Sequence, residues 1–270
     1  MSKPLPLIDC HCHLLPRLDD GPASWEEALA MGQLAADDGI GAVIASPHQS
    51  GAYEHITPAM IRHRVIQLRD MFARHHIELD IVPGAEVHAT DDLAARVARG
   101  DIMTLADRRR HVLLQMPHEA TFQQSPPLPQ LVESFQPYNM QLILARPERH
   151  RRILRQWDLV ETLVDDGCLM QVTAGALTGA FGVEIRAFAE WLVQERLVHL
   201  VGSDGHGAGA RRPLLSRAYH RVCHLTDQTY ADEIFRRNPH RILCGELIPV
   251  VARRTHRYRF AQWFRWRRAG

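Results

Sequence analysis

Short apolar runs rich in β-branched residues alternate along the chain with longer stretches in which apolar positions recur every three or four residues. The short runs are LPLIDCHCH, GAVIASPH, LDIVPGAEV, HVLLQMP, QLILARPE, CLMQVTAGAL and VHLVGSDGH, each read as a strand. Helical period marks residues 24–38, 58–76, 91–99, 127–136, 155–166 and 183–195, and two further helices are expected over 212–223 and 227–237. Ser24, with Glu27 three residues on, supplies an N-cap signal for the first helix. Strands that are apolar on both faces belong to parallel sheets covered by helices. Seven such β–α repeats predict an α/β barrel, with an open doubly wound sheet as the alternative. No low-complexity linker interrupts residues 1–250, which read as one domain followed by a tail over 251–270.

The strands share a feature beyond their apolar interiors. Six of the seven carry polar groups at or just past their carboxyl ends: His11 and His13; His48; Glu86 and His88; Gln115; Arg146, Glu148 and Arg149; Asp204 with His206. In parallel β/α folds that edge is where sites are built, because strand ends converge there and the following loops can cover them. A lone strand histidine is more often a hydrogen-bonded core residue. Recurrence on one edge points instead to a metal site.

Composition narrows the class. A formal net charge of +1 is too small for a general nucleic-acid binder. Lys3 is the only lysine, so positive charge is carried by arginine, whose planar fork suits phosphate and carboxylate. The five cysteines, Cys10, Cys12, Cys168, Cys223 and Cys244, are scattered and mostly within apolar runs, which reads as a reduced cytoplasmic protein. In CHCH, His11 and His13 are expected on one face and the two cysteines on the other. No signal peptide and no apolar run of membrane-spanning length is apparent.

Imidazole and carboxylate donors without thiolate suit manganese, iron or zinc. A carboxylate bridging two ions sets them about 3.5–4 Å apart, the spacing used by two-metal hydrolases. Arg149 and Arg211 follow strand ends, where they could grip phosphate oxygens. Metal donors plus guanidinium forks favour phosphate-ester hydrolysis over peptide hydrolysis.

The segments IDCHCHLLPRLDDG, ASPHQSGAYEH, VPGAEV, RPERH, QVTAGALTGAFG and GSDGHGAGARRP, in that order, resemble the PHP superfamily (polymerase and histidinol phosphatase). Within it they are most similar to the metal-dependent protein-tyrosine phosphatases of bacterial capsule and exopolysaccharide operons. The resemblance implies a distorted (β/α)7 barrel, up to three ions, usually manganese, and action on a phosphotyrosine-bearing kinase that controls polysaccharide export. It places a first ion on His11, His13, Glu86 and Asp204, and a third on Asp20, His48 and His206. It makes Arg149 and Arg211 the phosphate-binding arginines.

The second ion is where this chain departs. The family has a glutamate where the chain has Gln115, and a histidine where it has Arg146. Glutamine is a poor ligand, and arginine cannot deprotonate to become one. A dication with one glutamate and a neutral histidine carries the same net charge as a glutamine with an arginine. The Arg146 guanidinium is therefore expected in the region of the missing ion, paired with Glu86 and within reach of the phosphate. Two bound ions are expected rather than three; His118 and Glu119 are weaker substitute ligands.

The expected chemistry is attack on phosphorus by hydroxide held beside Glu86, with Arg149 and Arg211 holding the phosphate. Tyr53 is a candidate substrate contact. A histidinol-phosphate-type enzyme, an amidohydrolase and an inactive phosphoprotein binder are the alternatives. The tail RRTHRYRFAQWFRWRRAG, with seven arginines and five aromatics, is a candidate for peripheral contact with anionic membrane surfaces. Oligomeric state stays open.

Overall fold

The computed structural model describes residues 5–116 and 125–250. Eight parallel strands run through it: β1 (Leu7–Cys12), β2 (Ile40–Ala45), β3 (Asp80–Pro83), β4 (Glu86–His88), β5 (His111–Gln115), β6 (Gln141–Ala145), β7 (Leu169–Thr173) and β8 (Leu200–Gly202). They hydrogen-bond as a three-stranded sheet, β1-β2-β3, and a five-stranded sheet, β4-β5-β6-β7-β8.

Backbone bonds at two seams join the sheets. On one side Asp204 N donates to His11 O and His13 N to Gly205 O, each at 2.8 Å. On the other Glu86 N donates to Pro47 O and Gln49 N to Glu86 O, each at 3.0 Å. The circuit closes with β3 and β4 sharing one stave, so the run LDIVPGAEV makes two short strands of a seven-stave barrel. The break falls at Gly84, where an added Cβ would stand 2.8 Å from Ile44 Cγ2; only glycine lets the chain cross there. Both seams lie at the carboxyl ends of the strands.

One apolar cluster draws Cys10, Ile44, Leu113, Ile143, Leu169 and Leu200 from six strands and fills the barrel. Ile242 and Ile248 close its floor, and the Gln141 side chain at the start of β6 bonds both backbone groups of Ile248 at 2.8 Å. A larger cluster packs the outward residues, Val43, Leu114, Leu144 and Val172 among them, against Phe72, Phe135 and Phe188 on the helices. Cys10 and Cys12 are both fully buried but belong to different clusters, because the pairing of β1 with β2 shifts register between Asp9 and Cys12.

The helices follow the expected periods with local breaks. Ser24 Oγ accepts from Glu27 N at 3.2 Å and caps the helix Trp25–Asp37. The stretch expected over 155–166 is two helices, Arg151–Arg155 and Asp158–Asp165, separated at Gln156–Trp157. The helix expected from 212 starts at Ser216, past Pro213. The one expected over 227–237 runs from Gln228–Asp232 through a π turn into Asn238–Cys244. No described helix is long and apolar enough to cross a membrane. The tail 251–270, and His118 with Glu119, lie outside the described residues.

Candidate metal centre

Histidines and acids from both seams meet at the barrel mouth. Glu86 opens β4 with its side chain fully buried, and its Oε2 has no hydrogen-bond partner among the described residues. Around that oxygen stand His48 Nδ1 at 3.3 Å, His11 Nε2 at 3.5 Å and His13 Nε2 at 3.6 Å. Ligand atoms that share an ion at about 2.0–2.2 Å stand roughly 3–3.5 Å from one another. A buried carboxylate oxygen surrounded by imidazole nitrogens at the spacing of co-ligands, none of them in hydrogen-bonding geometry to it, fits a divalent cation.

Two donor groups share His13. His11, His13 and Asp204 form one, and His13, Asp20, His48 and His206 the other; within each, the ligand atoms lie within 4.8 Å of one another. Asp20 Oδ1 is 3.5 Å from His206 Nε2 and 3.6 Å from His48 Nε2. All seven residues singled out as donors in the sequence therefore converge on one mouth.

Arginine occupies the remaining side. Arg146 Nη2 donates to Glu86 Oε1 at 2.6 Å and its Nη1 to Asp204 Oδ1 at 2.9 Å. Arg149 Nη1 and Arg211 Nη2 both donate to Asp204 Oδ2, at 2.9 and 2.6 Å. Arg146 and Asp204 each have left-handed backbone, φ 57° and 54°, an uncommon conformation for non-glycine residues. At both positions the chain turns sharply just past a strand, and the side chains meet in the mouth. Gln115 ends β5, paired with His88 and Ala145, and its Oε1 is buried without a hydrogen-bond partner among the described residues. The Tyr53 ring stacks on His48 with centroids 5.4 Å apart.

Charge is distributed unevenly among the imidazoles. Burial works against protonation of His13, but the hydrogen bond to Asp19 and the charges of Asp19 and Glu86 outweigh it and raise the ring to about 10. Burial and the neighbouring His13 charge lower His48 to about 4 and His206 to about 3, leaving both as neutral donors. Burial opposes ionisation of Glu86, yet the charges of His11 and Arg146 prevail and hold its carboxyl well below the usual range. Asp204 is likewise lowered, burial being overcome by Arg146 and the histidines.

The donors have supports that the sequence reading did not identify. Asp19 Oδ2 accepts from His13 Nδ1 at 2.6 Å and from His48 N at 2.9 Å. Gln171 Oε1 accepts from His11 Nδ1 at 2.8 Å, while its amide donates to Val172 O. Each holds the Nδ1 proton on the far side of its ring, so that Nε2 is the nitrogen turned toward the mouth. Buried Glu148 accepts from Thr173 N at 2.9 Å and from the Thr173 hydroxyl, tying the Arg146–Arg149 turn to the end of β7. The doubled acid in RLDDG and the glutamine inside an apolar strand were the available signals.

Relatives share this arrangement of chain. The sequence model of the family described as capsular polysaccharide synthesis, CpsB/CapC, matches residues 7–244. The tyrosine-protein phosphatase YwqE of Bacillus subtilis is 31% identical over 210 residues, covering 76% of this chain and 79% of its own. A crystal structure from the pair YwqE and Streptococcus pneumoniae CpsB, described as metal-dependent tyrosine phosphatases, superposes with TM-score 0.83 at 28% identity, over 91% of this chain and 98% of that one. The lactonase Lmo2620 of Listeria monocytogenes, at TM-score 0.54 and 14% identity over 90% of this chain and 96% of its own, shares the barrel alone.

Proposed function

The chain belongs to the capsular polysaccharide synthesis family CpsB/CapC, and from that membership we propose that it is a metal-dependent phosphatase acting on protein phosphotyrosine. The observation that carries the reading is Glu86 Oε2, buried without a hydrogen-bond partner among the described residues and ringed by three imidazole nitrogens. His11, His13, Glu86 and Asp204 would hold one divalent ion, and Asp20, His48 and His206 another. Manganese is the first choice, ahead of iron or zinc. When bound, such ions supply Lewis acidity and lower the pKa of water into the physiological range.

The rest of the chemistry falls to side chains. Arg149 and Arg211 are about a third exposed at the rim, each with one fork nitrogen on Asp204 Oδ2. A phosphate dianion entering the mouth offers them equatorial oxygens and takes up their remaining donors, so charge developing in the transition state is met by fixed guanidinium. Arg146, held by Glu86 and Asp204, supplies positive charge where the family's second ion would stand, and two ions suffice. Tyr53, stacked on His48, would flank the substrate ring.

The substrate that fits the family is a phosphotyrosine-bearing kinase of polysaccharide export, met in the cytoplasm. Buried free Cys10, Cys12 and Cys168 suit that reducing compartment. Metal-depleted protein re-supplied with manganese should release phosphate from a phosphotyrosyl peptide and spare histidinol phosphate. Turnover of histidinol phosphate alone would replace protein phosphotyrosine with a small metabolite, and turnover of neither would leave a binding protein.

A further inference from the structure

Two helices that follow the mouth loops flank a second, open basic recess, one the proposed chemistry does not use. Arg186 on the helix Val183–Gln194, and Arg217 and Arg221 on the helix Ser216–Leu225, line it together with Leu177 and Thr178. Its volume is about 180 Å³. Glu190 is the acid that meets these arginines. Its Oε1 accepts from Arg186 Nε at 2.7 Å and from Arg221 Nε and Nη2 at 3.0 and 2.8 Å. The glutamate is buried, so its charge is spent on those two guanidiniums.

A brace for Glu190 needs no third arginine. Arg217 is exposed and stands four residues before Arg221 on one helix, a like-charged pair that weakens the helix it sits on. Among the described residues, three guanidiniums against one carboxylate leave the recess with an excess of positive charge that an incoming anion would neutralise. Its position is also telling. Leu177 and Thr178 lie between Thr173, which ends β7, and Phe181, whose ring faces the Arg149 guanidinium at 4.6 Å. Arg217 follows the rim residue Arg211 by six positions. The recess is thus built from the segments that follow β7 and β8 out of the mouth.

We propose that this recess is a subsite for oxyanion side chains flanking the phosphotyrosine, so that the enzyme selects acidic peptide segments. The proposal rests on the phosphotyrosine reading above and adds the sequence context that reading leaves open. Carboxylates or a second phosphate on the same peptide would satisfy the same forks.

Steady-state kinetics on the full, manganese-loaded chain test it with three substrates: a phosphotyrosyl peptide with glutamates on both sides, the same peptide with glutamines, and p-nitrophenyl phosphate. The wild type should show a lower KM for the acidic peptide, and added salt should narrow the difference. Arg217→Glu should raise the KM of the acidic peptide roughly threefold to tenfold with kcat held, and leave p-nitrophenyl phosphate unaffected. Arg217→Lys should retain the preference. Equal KM values for both peptides in the wild type, or no response to Arg217→Glu, would overturn the proposal. No turnover of p-nitrophenyl phosphate would refute the phosphatase reading separately. Fluorescence anisotropy of the unphosphorylated acidic peptide would still report on the recess, and equal binding by wild type and Arg217→Glu would overturn it there too.

Discussion

Arg146 Nη2 lies 2.6 Å from Glu86 Oε1, a guanidinium against the buried carboxylate that the histidines surround from its other oxygen. The same guanidinium reaches Asp204 Oδ1 at 2.9 Å, so one fixed cation bridges two acids. Restoring the family's ligands should exchange that cation for an ion. The double variant Gln115→Glu/Arg146→His should bind one more manganese equivalent than the wild type, counted by plasma mass spectrometry. An unchanged count would separate Arg146 from metal stoichiometry. Arg146→Ala alone leaves buried Glu86 without its guanidinium, while Asp204 keeps Arg149 and Arg211, and should destabilise the metal-free protein by about 3–5 kcal/mol in urea unfolding, with manganese recovering part of the loss.

Asp19 orients His13 without itself being one of the donors. Asp19→Asn should weaken manganese affinity roughly 10–100-fold by calorimetric titration, with most activity regained at saturating metal. Unaltered affinity would show that His13 keeps its orientation unaided.

The rim arginines should act on substrate and leave metal binding alone. Arg149→Ala or Arg211→Ala should lower kcat/KM on a phosphotyrosyl peptide by roughly 10²–10³ at unchanged metal content. Arg149→Lys should rescue only part, because a point charge cannot reproduce the fork or its packing on Phe181.

What could be read from the sequence divides along physical lines. A polar edge was legible because such residues recur at the ends of six apolar strands; the assignment of individual ligands, Asp20 among them, came from the family resemblance. The departure at Arg146 was legible only against the family's histidine; charge balance then led to the expected pairing with Glu86, and Glu86 is the partner it has. Asp19 and Gln171 were not, since their role is one hydrogen bond to the far ring nitrogen, which leaves no periodic trace. Nor was the division of LDIVPGAEV into β3 and β4, because the contact that requires Gly84 comes from Ile44, forty residues earlier. The helix break at Gln156–Trp157 likewise depends on tertiary packing, with Trp157 turned against Phe188 and Trp191.

His111, away from the mouth at the start of β5, gives the fold a pH dependence of its own. Burial lowers its pKa from 6.5 to about 4, against the favourable hydrogen bond to Gln141. Between those values the unfolded chain takes up a proton that the folded chain refuses. Stability should therefore fall as pH drops from about 6.5 to 4, by about 3 kcal/mol at most from this group, and be unaffected by it above that window. Urea midpoints at pH 7 and pH 4.5 for wild type and His111→Gln check this: the variant should lose less on acidification, and an identical loss would remove His111 as the cause.

Phosphate release from a phosphotyrosyl peptide, followed while manganese is titrated into metal-depleted protein and bound metal is counted, tests the central claim most directly. The rate should rise from baseline and level off at two ions per chain, with Arg146 standing in for a third. A rate that stays at baseline at every loading, or one that levels off only at three ions, would contradict it.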